Sequence, residues 1–89
     1  MEFLLEAYAS SVSAAQSGAQ RMRASATRST EAGTPVQVLR TIFLPEDETS
    51  LVLFAASSAE DVRATVVDAG LPVDRIVVAV LSPEGEPCE

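Results

Sequence analysis

The amino-acid sequence predicts one α+β domain whose elements follow the order βαββαβ. Three observations predict it. Four short runs alternate or are wholly apolar, as strands do, and two longer stretches carry apolar residues at helical intervals. Each helical stretch separates one strand from the next. A chain of 89 residues is also long enough for one domain only.

The first predicted strand covers residues 2–9. Phe3 and Leu5 alternate with Leu4 and Glu6. Side chains of a strand point to opposite faces in turn, so one face of this strand is apolar and the other is mixed.

A long helix follows. Ser13 and Gln16 have the spacing of a capping box, which predicts that the helix begins at Ser13. Gly33 and Pro35 predict its end. Small and apolar residues form the predicted buried stripe of this helix: Ala15, Ala19, Met22 and Ala26.

The second and third strands are predicted at residues 36–44 and 50–56. Pro45 begins an acidic turn between them. Two strands joined by a short turn form a hairpin and are therefore antiparallel.

The second helix is predicted to begin after Ser58, a favourable N-cap residue, and to end at Gly70. Its buried stripe comprises Val62, Val66 and Ala69. The last strand is predicted at residues 75–81. We expect the domain to cover residues 1–82 and residues 83–89 to form a flexible acidic tail.

This order of elements predicts a ferredoxin-like fold. Right-handed crossovers place both helices on one face of a four-stranded antiparallel sheet, with the first and third strands at its centre. Residues 51–54 and 76–81 are apolar without interruption, so the second face of the sheet is apolar as well. No other segment is available to cover it. We expect the same face of a second copy to do so, which gives a homodimer with the form of a dimeric α+β barrel.

The composition argues against several classes of function. The formal net charge is −7, which disfavours binding to nucleic acid or to anionic lipid. All six basic residues are Arg, a side chain that can hold a carboxylate through two hydrogen bonds. Cys88 is the single cysteine and cannot form an intrachain disulfide. With no long apolar run and no basic signal segment, a cytoplasmic location is expected.

Some ferredoxin-like functions need residues that this sequence lacks. It has no Cys-x-x-Cys pair for a heavy-metal chaperone and no basic, aromatic strands for RNA recognition. The segment after the first strand, residues 10–13, has no Arg or Gly with which to hold a phosphate.

Three polar residues are candidates for a ligand-binding site inside the barrel. Glu6 and Tyr8 come from the mixed face of the first strand, and Arg40 is the only charged residue of the second. An alternative is that Glu6 and Arg40 pair at the rim of the interface while Tyr8 packs with a solvated hydroxyl group.

Three interpretations of function remain open. The first is a small homodimeric protein that binds a ligand or a metal ion. The second is a cofactor-free enzyme of the dimeric α+β barrel type, a monooxygenase or cyclase that acts on a small organic substrate in the barrel cavity, with Glu6 as the general base. The third is a structural partner with a filled barrel.

The segments "FLLEAY" at residues 3–8 and "AGLPVDRIV" at residues 69–77 carry a family resemblance. Over residues 3–80 the chain resembles a family of small bacterial proteins with a ferredoxin-like fold, a domain of unknown function with one branch described as nickel-binding. The resemblance matches Glu6 and Arg40 to a carboxylate and a basic residue of the family pattern, and it implies nickel as a cofactor. This chain has no histidine, and its cysteine lies outside the matched region. Nickel prefers imidazole and thiolate ligands, so the residues themselves predict no cofactor.

Overall fold

The computed structural model describes residues 1–80, and its elements have the predicted order. They are β1 (Glu2–Tyr8), α1 (Val12–Glu31), β2 (Val36–Leu44), β3 (Thr49–Ala56), α2 (Ala59–Asp68) and β4 (Arg75–Ala79). The four strands form one sheet in the order β2-β3-β1-β4, and every neighbouring pair is antiparallel. The ferredoxin-like α+β fold and the central position of the first and third strands are confirmed.

The core lies between one face of the sheet and the two helices. Phe3 and Leu5 of β1 and Phe54 of β3 are buried on this face, and they meet Met22 of α1 and Val66 of α2. The predicted stripe of α2 is buried throughout. Burying a side chain of this size stabilises the fold by about 1.5–3 kcal/mol. The helix-facing side of the sheet is therefore the one that holds this small domain together.

The start of α1 differs from the prediction. Ser11, in extended conformation, is the N-cap, and its hydroxyl group accepts a hydrogen bond from the backbone N–H of Ala14 at 3.1 Å. Ser13 therefore lies inside the first turn, and the predicted capping box at Ser13 and Gln16 was wrong. Both serines precede helical residues, and the cap goes to the one whose backbone is still extended.

The other helix boundaries agree with the prediction. Ser58 caps α2 by accepting a hydrogen bond from the N–H of Asp61. Gly33 and Gly70 follow the two helices with φ angles of 103° and 77°, a conformation that favours glycine.

Strand β4 ends at Ala79, earlier than predicted. Leu81 and the predicted tail lie outside the described residues. Within residues 1–80, no helix is long and apolar enough to cross a membrane.

Candidate functional site

The sheet has a second face, turned away from the helices, which we call the open face. The strand register assigns its members: Leu4 and Glu6 of β1, Leu51 and Leu53 of β3, Arg40 and Ile42 of β2, and Val77 and Ala79 of β4. Most are half-buried against their neighbours, whereas Ile42 keeps 48% of its surface exposed. No other part of residues 1–80 covers this face, and contiguous apolar patches are uncommon on the surfaces of monomeric proteins.

A shallow groove of about 550 Å³ crosses the open face. Carbon side chains and one guanidinium group line it: Leu4, Leu39, Arg40, Ile42, Leu51, Leu53 and Ala79. Its volume is in the range of small-molecule sites. Such sites also commonly combine an apolar wall with a few polar groups, as this groove does.

A β-bulge places Arg40 in this groove. Val38 pairs with Phe54 on the helix-facing side, whereas Arg40 pairs with Leu53 on the open face, so Leu39 is the extra residue. In an unbroken ladder Arg40 would stand opposite Val52, which is fully buried in the core. The extra residue reverses the alternation, so Arg40 and Leu39 line the same groove.

Arg40 has no anionic partner among residues 1–80. The ion pairs of this part of the chain join Arg28 to Asp68 at 2.8 Å and Arg75 to Glu6 at 3.6 Å. The guanidinium group of Arg40 therefore shares the groove with apolar side chains and has no ion-pair partner in this part of the chain.

Glu6 lies on the open face, half-buried, and its neighbour is Arg75. The two residues are cross-strand partners of β1 and β4. Within one chain the ion-pair partner of Glu6 is Arg75 and not Arg40. Pairing of Glu6 with Arg40 at the rim of a dimer interface stays a prediction. Sequence reasoning missed Arg75 because only the strand register reveals the pairing.

Tyr8 is at the end of β1 with 64% of its surface exposed, and its backbone N–H donates to the Asp74 carboxylate at 3.0 Å. Glu6 and Tyr8 are neighbours on the open face. Arg40 is two strands away, so its Cα lies about 12 Å from that of Glu6 and about 17 Å from that of Tyr8, from standard strand spacings. The three predicted site residues thus share a face but do not meet within one chain.

A second polar cluster joins the helices on the other side of the sheet. The buried Ser25 hydroxyl oxygen is 2.7 Å from both the Thr65 carbonyl and the Asp68 carboxylate, so the two acceptors share one proton. A hydrogen bond from Arg28, with a second from Ser25 and the charge of Arg28, lowers the pKa of Asp68 from its usual 3.8. The hydrogen-bonding groups of this cluster are paired with one another, so we interpret the cluster as a structural link between α1 and α2.

Metal-ligating side chains do not cluster in residues 1–80: no group of three or more carboxylate, imidazole or thiol residues lies close enough to hold an ion. The guanidinium and carbon groups of the groove are not metal ligands either.

No protein-family model and no curated protein matches this sequence. A solved structure with the same fold is that of SCO4226 from Streptomyces coelicolor A3(2). It superimposes with a TM-score of 0.73 and is 20% identical, and the match covers 93% of this chain and 100% of that one. At this identity the likeness shows a common fold.

Proposed function

We propose that this protein is a homodimeric small-ligand-binding protein. In this proposal two copies pack their open faces together around a two-fold axis and form a dimeric α+β barrel. The observation that carries the proposal is the apolar groove on the open face, with Arg40 as its single charged side chain.

The chemistry of the open face supports pairing with a second copy. A two-fold interface brings the same patch of both subunits together, so the patch must be complementary to itself. The open face has an apolar centre around Leu51 and Leu53, and it carries charges of both signs, Glu6 with Arg75 and Arg40 further across. Two such faces can bury their apolar centres against each other, while each keeps its own Glu6–Arg75 ion pair.

The same residues favour ligand binding over acid–base catalysis. Glu6 is the carboxylate on which such catalysis would depend, and the Arg75 guanidinium group lies 3.6 Å from it as an ion-pair partner. The groove contributes one guanidinium group and otherwise carbon, which suits recognition of a ligand. It offers nickel no ligand, so we propose that binding needs no resident metal.

Native mass spectrometry of tag-free protein purified without added metal tests the proposal. We expect a species of twice the 9.3 kDa chain mass, with additional mass where a ligand is retained. The variant Leu53→Glu places a charge at the centre of the open face and should give a monomer. Val67→Glu places the same charge at an exposed position of α2 and should remain a dimer.

Circular dichroism of both variants confirms that they remain folded. A monomeric wild-type protein would refute the closed barrel. A dimer that withstands Leu53→Glu would place the interface elsewhere and would refute the role of the open face.

A further inference from the structure

We infer that the ligand class is an organic acid with an apolar body and one carboxylate, held by Arg40 in the open-face groove. This inference rests on the proposed function, since it names what the groove binds.

The position of Arg40 is the first step of the argument. Strict alternation would direct this residue to the core side, opposite Val52, and the bulge at Leu39 directs it to the groove instead. Bulges often re-aim a side chain beside a binding site. The side chain of Leu53, the cross-strand neighbour of Arg40, has no hydrogen-bond acceptor, and no carboxylate of residues 1–80 forms an ion pair with Arg40.

Charge balance is the second step. When a second copy covers the open face, Arg40 leaves water, and a buried cation without a partner is strongly unfavourable. Within residues 1–80 no carboxylate pairs with it, and Glu6 is about 12 Å away by strand spacing and already paired with Arg75. An anionic group on the ligand would supply the charge that Arg40 lacks within residues 1–80. A carboxylate matches the planar guanidinium group through two parallel hydrogen bonds.

The rest of the groove wall determines the apolar body of the ligand. Leu4, Leu39, Ile42 and Ala79 offer only carbon, and the groove extends from β2 to β4. That is three strand spacings, or about 14 Å. A medium-length apolar chain or a ring system attached to the carboxylate would fill this space, whereas a small polar acid such as acetate would leave it empty.

Titration with three probes separates the two halves of the ligand. Octanoate has both the chain and the carboxylate, 1-octanol has the chain alone, and acetate has the carboxylate alone. Isothermal titration should show octanoate binding about 10- to 100-fold more tightly than 1-octanol, the range expected for a hydrogen-bonded charge pair. Acetate should not bind measurably.

Two arginine variants complete the experiment. Arg40→Gln should remove the advantage of octanoate over 1-octanol. Arg63→Gln removes the same charge from an exposed position of α2 and should leave the advantage intact. Equal binding of octanoate and 1-octanol to the wild-type protein, or an unchanged advantage in Arg40→Gln, would overturn the inference.

The oligomeric state, measured on the same samples by native mass spectrometry, separates the two proposals. A dimer that binds no octanoate keeps the barrel and overturns the ligand class. A dimer that is weakened by Arg40→Gln and binds no octanoate would show that a carboxylate of the second copy is the partner of Arg40, and would also overturn it. A monomer with Arg40-dependent octanoate binding supports the ligand class and overturns the barrel. A monomer that binds no octanoate overturns both.

Discussion

Truncation of Ile42 to alanine tests the proposed interface, because the exposed area of this side chain sets the expected loss of dimer stability. Ile42 lies on the open face opposite Leu51, and 48% of its surface remains exposed in one chain. In the proposed dimer the second copy removes this remainder from water. Burial of a whole isoleucine side chain contributes about 1.5–3 kcal/mol, so the exposed half corresponds to about 1 kcal/mol per subunit.

A two-fold interface contains the substitution twice. Ile42→Ala should therefore destabilise the dimer by about 2 kcal/mol and raise its dissociation constant about 30-fold. The fold of each subunit should persist, because Ile42 is outside the core.

Sedimentation velocity over a series of protein concentrations measures the dissociation constant. Val67→Ala is the matched control, since Val67 is a β-branched residue of α2 with 62% of its surface exposed on the opposite side of the sheet. A dissociation constant that changes less than threefold in Ile42→Ala, or equally in Val67→Ala, would refute the reasoning.

Three further predictions concern the helices. Ser25→Ala should lower the free energy of unfolding in urea by about 1 kcal/mol, because it removes a buried hydrogen bond to α2 whose carbonyl acceptor keeps its own helical partner. The lowered pKa of Asp68, held down first by the hydrogen bond from Arg28, stabilises the fold above the unfolded pKa of about 3.8. This contribution is lost as the pH falls below 3.8 and through the lowered pKa, so the stabilities of the wild-type protein and Asp68→Asn should differ above pH 3.8 and converge only below the lowered pKa. Gly18→Ala should raise the free energy of unfolding by about 0.5–1 kcal/mol, because alanine is the better helix former within α1. The new methyl group would lie 3.7 Å from Leu71, at an ordinary contact distance.

Each of these predictions has a control. Ser17→Ala changes an exposed serine of α1 and should have little effect, so an equal loss in both serine variants would contradict the role of Ser25. A difference between the wild-type protein and Asp68→Asn that does not vary with pH would contradict the pKa argument. Gly33→Ala, at a φ angle of 103°, should destabilise; if it stabilised as much as Gly18→Ala, the conformational reasoning would fail.

Most elements could be predicted from the sequence because their signals are local. Alternation over a few residues marked the strands, and Ser58, Gly33 and Gly70 marked helix ends through their own backbone preferences. The start of α1 was misplaced because Ser11 and Ser13 both have the chemistry of a cap, and only the backbone conformation distinguishes them.

The candidate site was only partly predictable, because it depends on how strands pair. The partner of Glu6 is Arg75, from the far end of the chain, and only the register of β1 with β4 brings them together. The separation of Arg40 from Glu6 and Tyr8 follows in the same way from the order of strands in the sheet.

The sequence by itself determined the number, type and order of the elements, the centre of the sheet and the apolar character of both its faces. The tertiary structure alone decided which face Arg40 occupies. Val36, Val38 and Arg40 share one parity in the chain, so alternation would send all three toward the helices. The pairing of β2 with β3 instead inserts Leu39 as a bulge and turns Arg40 to the open face. Side-chain alternation is a property of a single strand and can be read from its sequence. A bulge is a property of two paired strands, so its position depends on how those strands pack together.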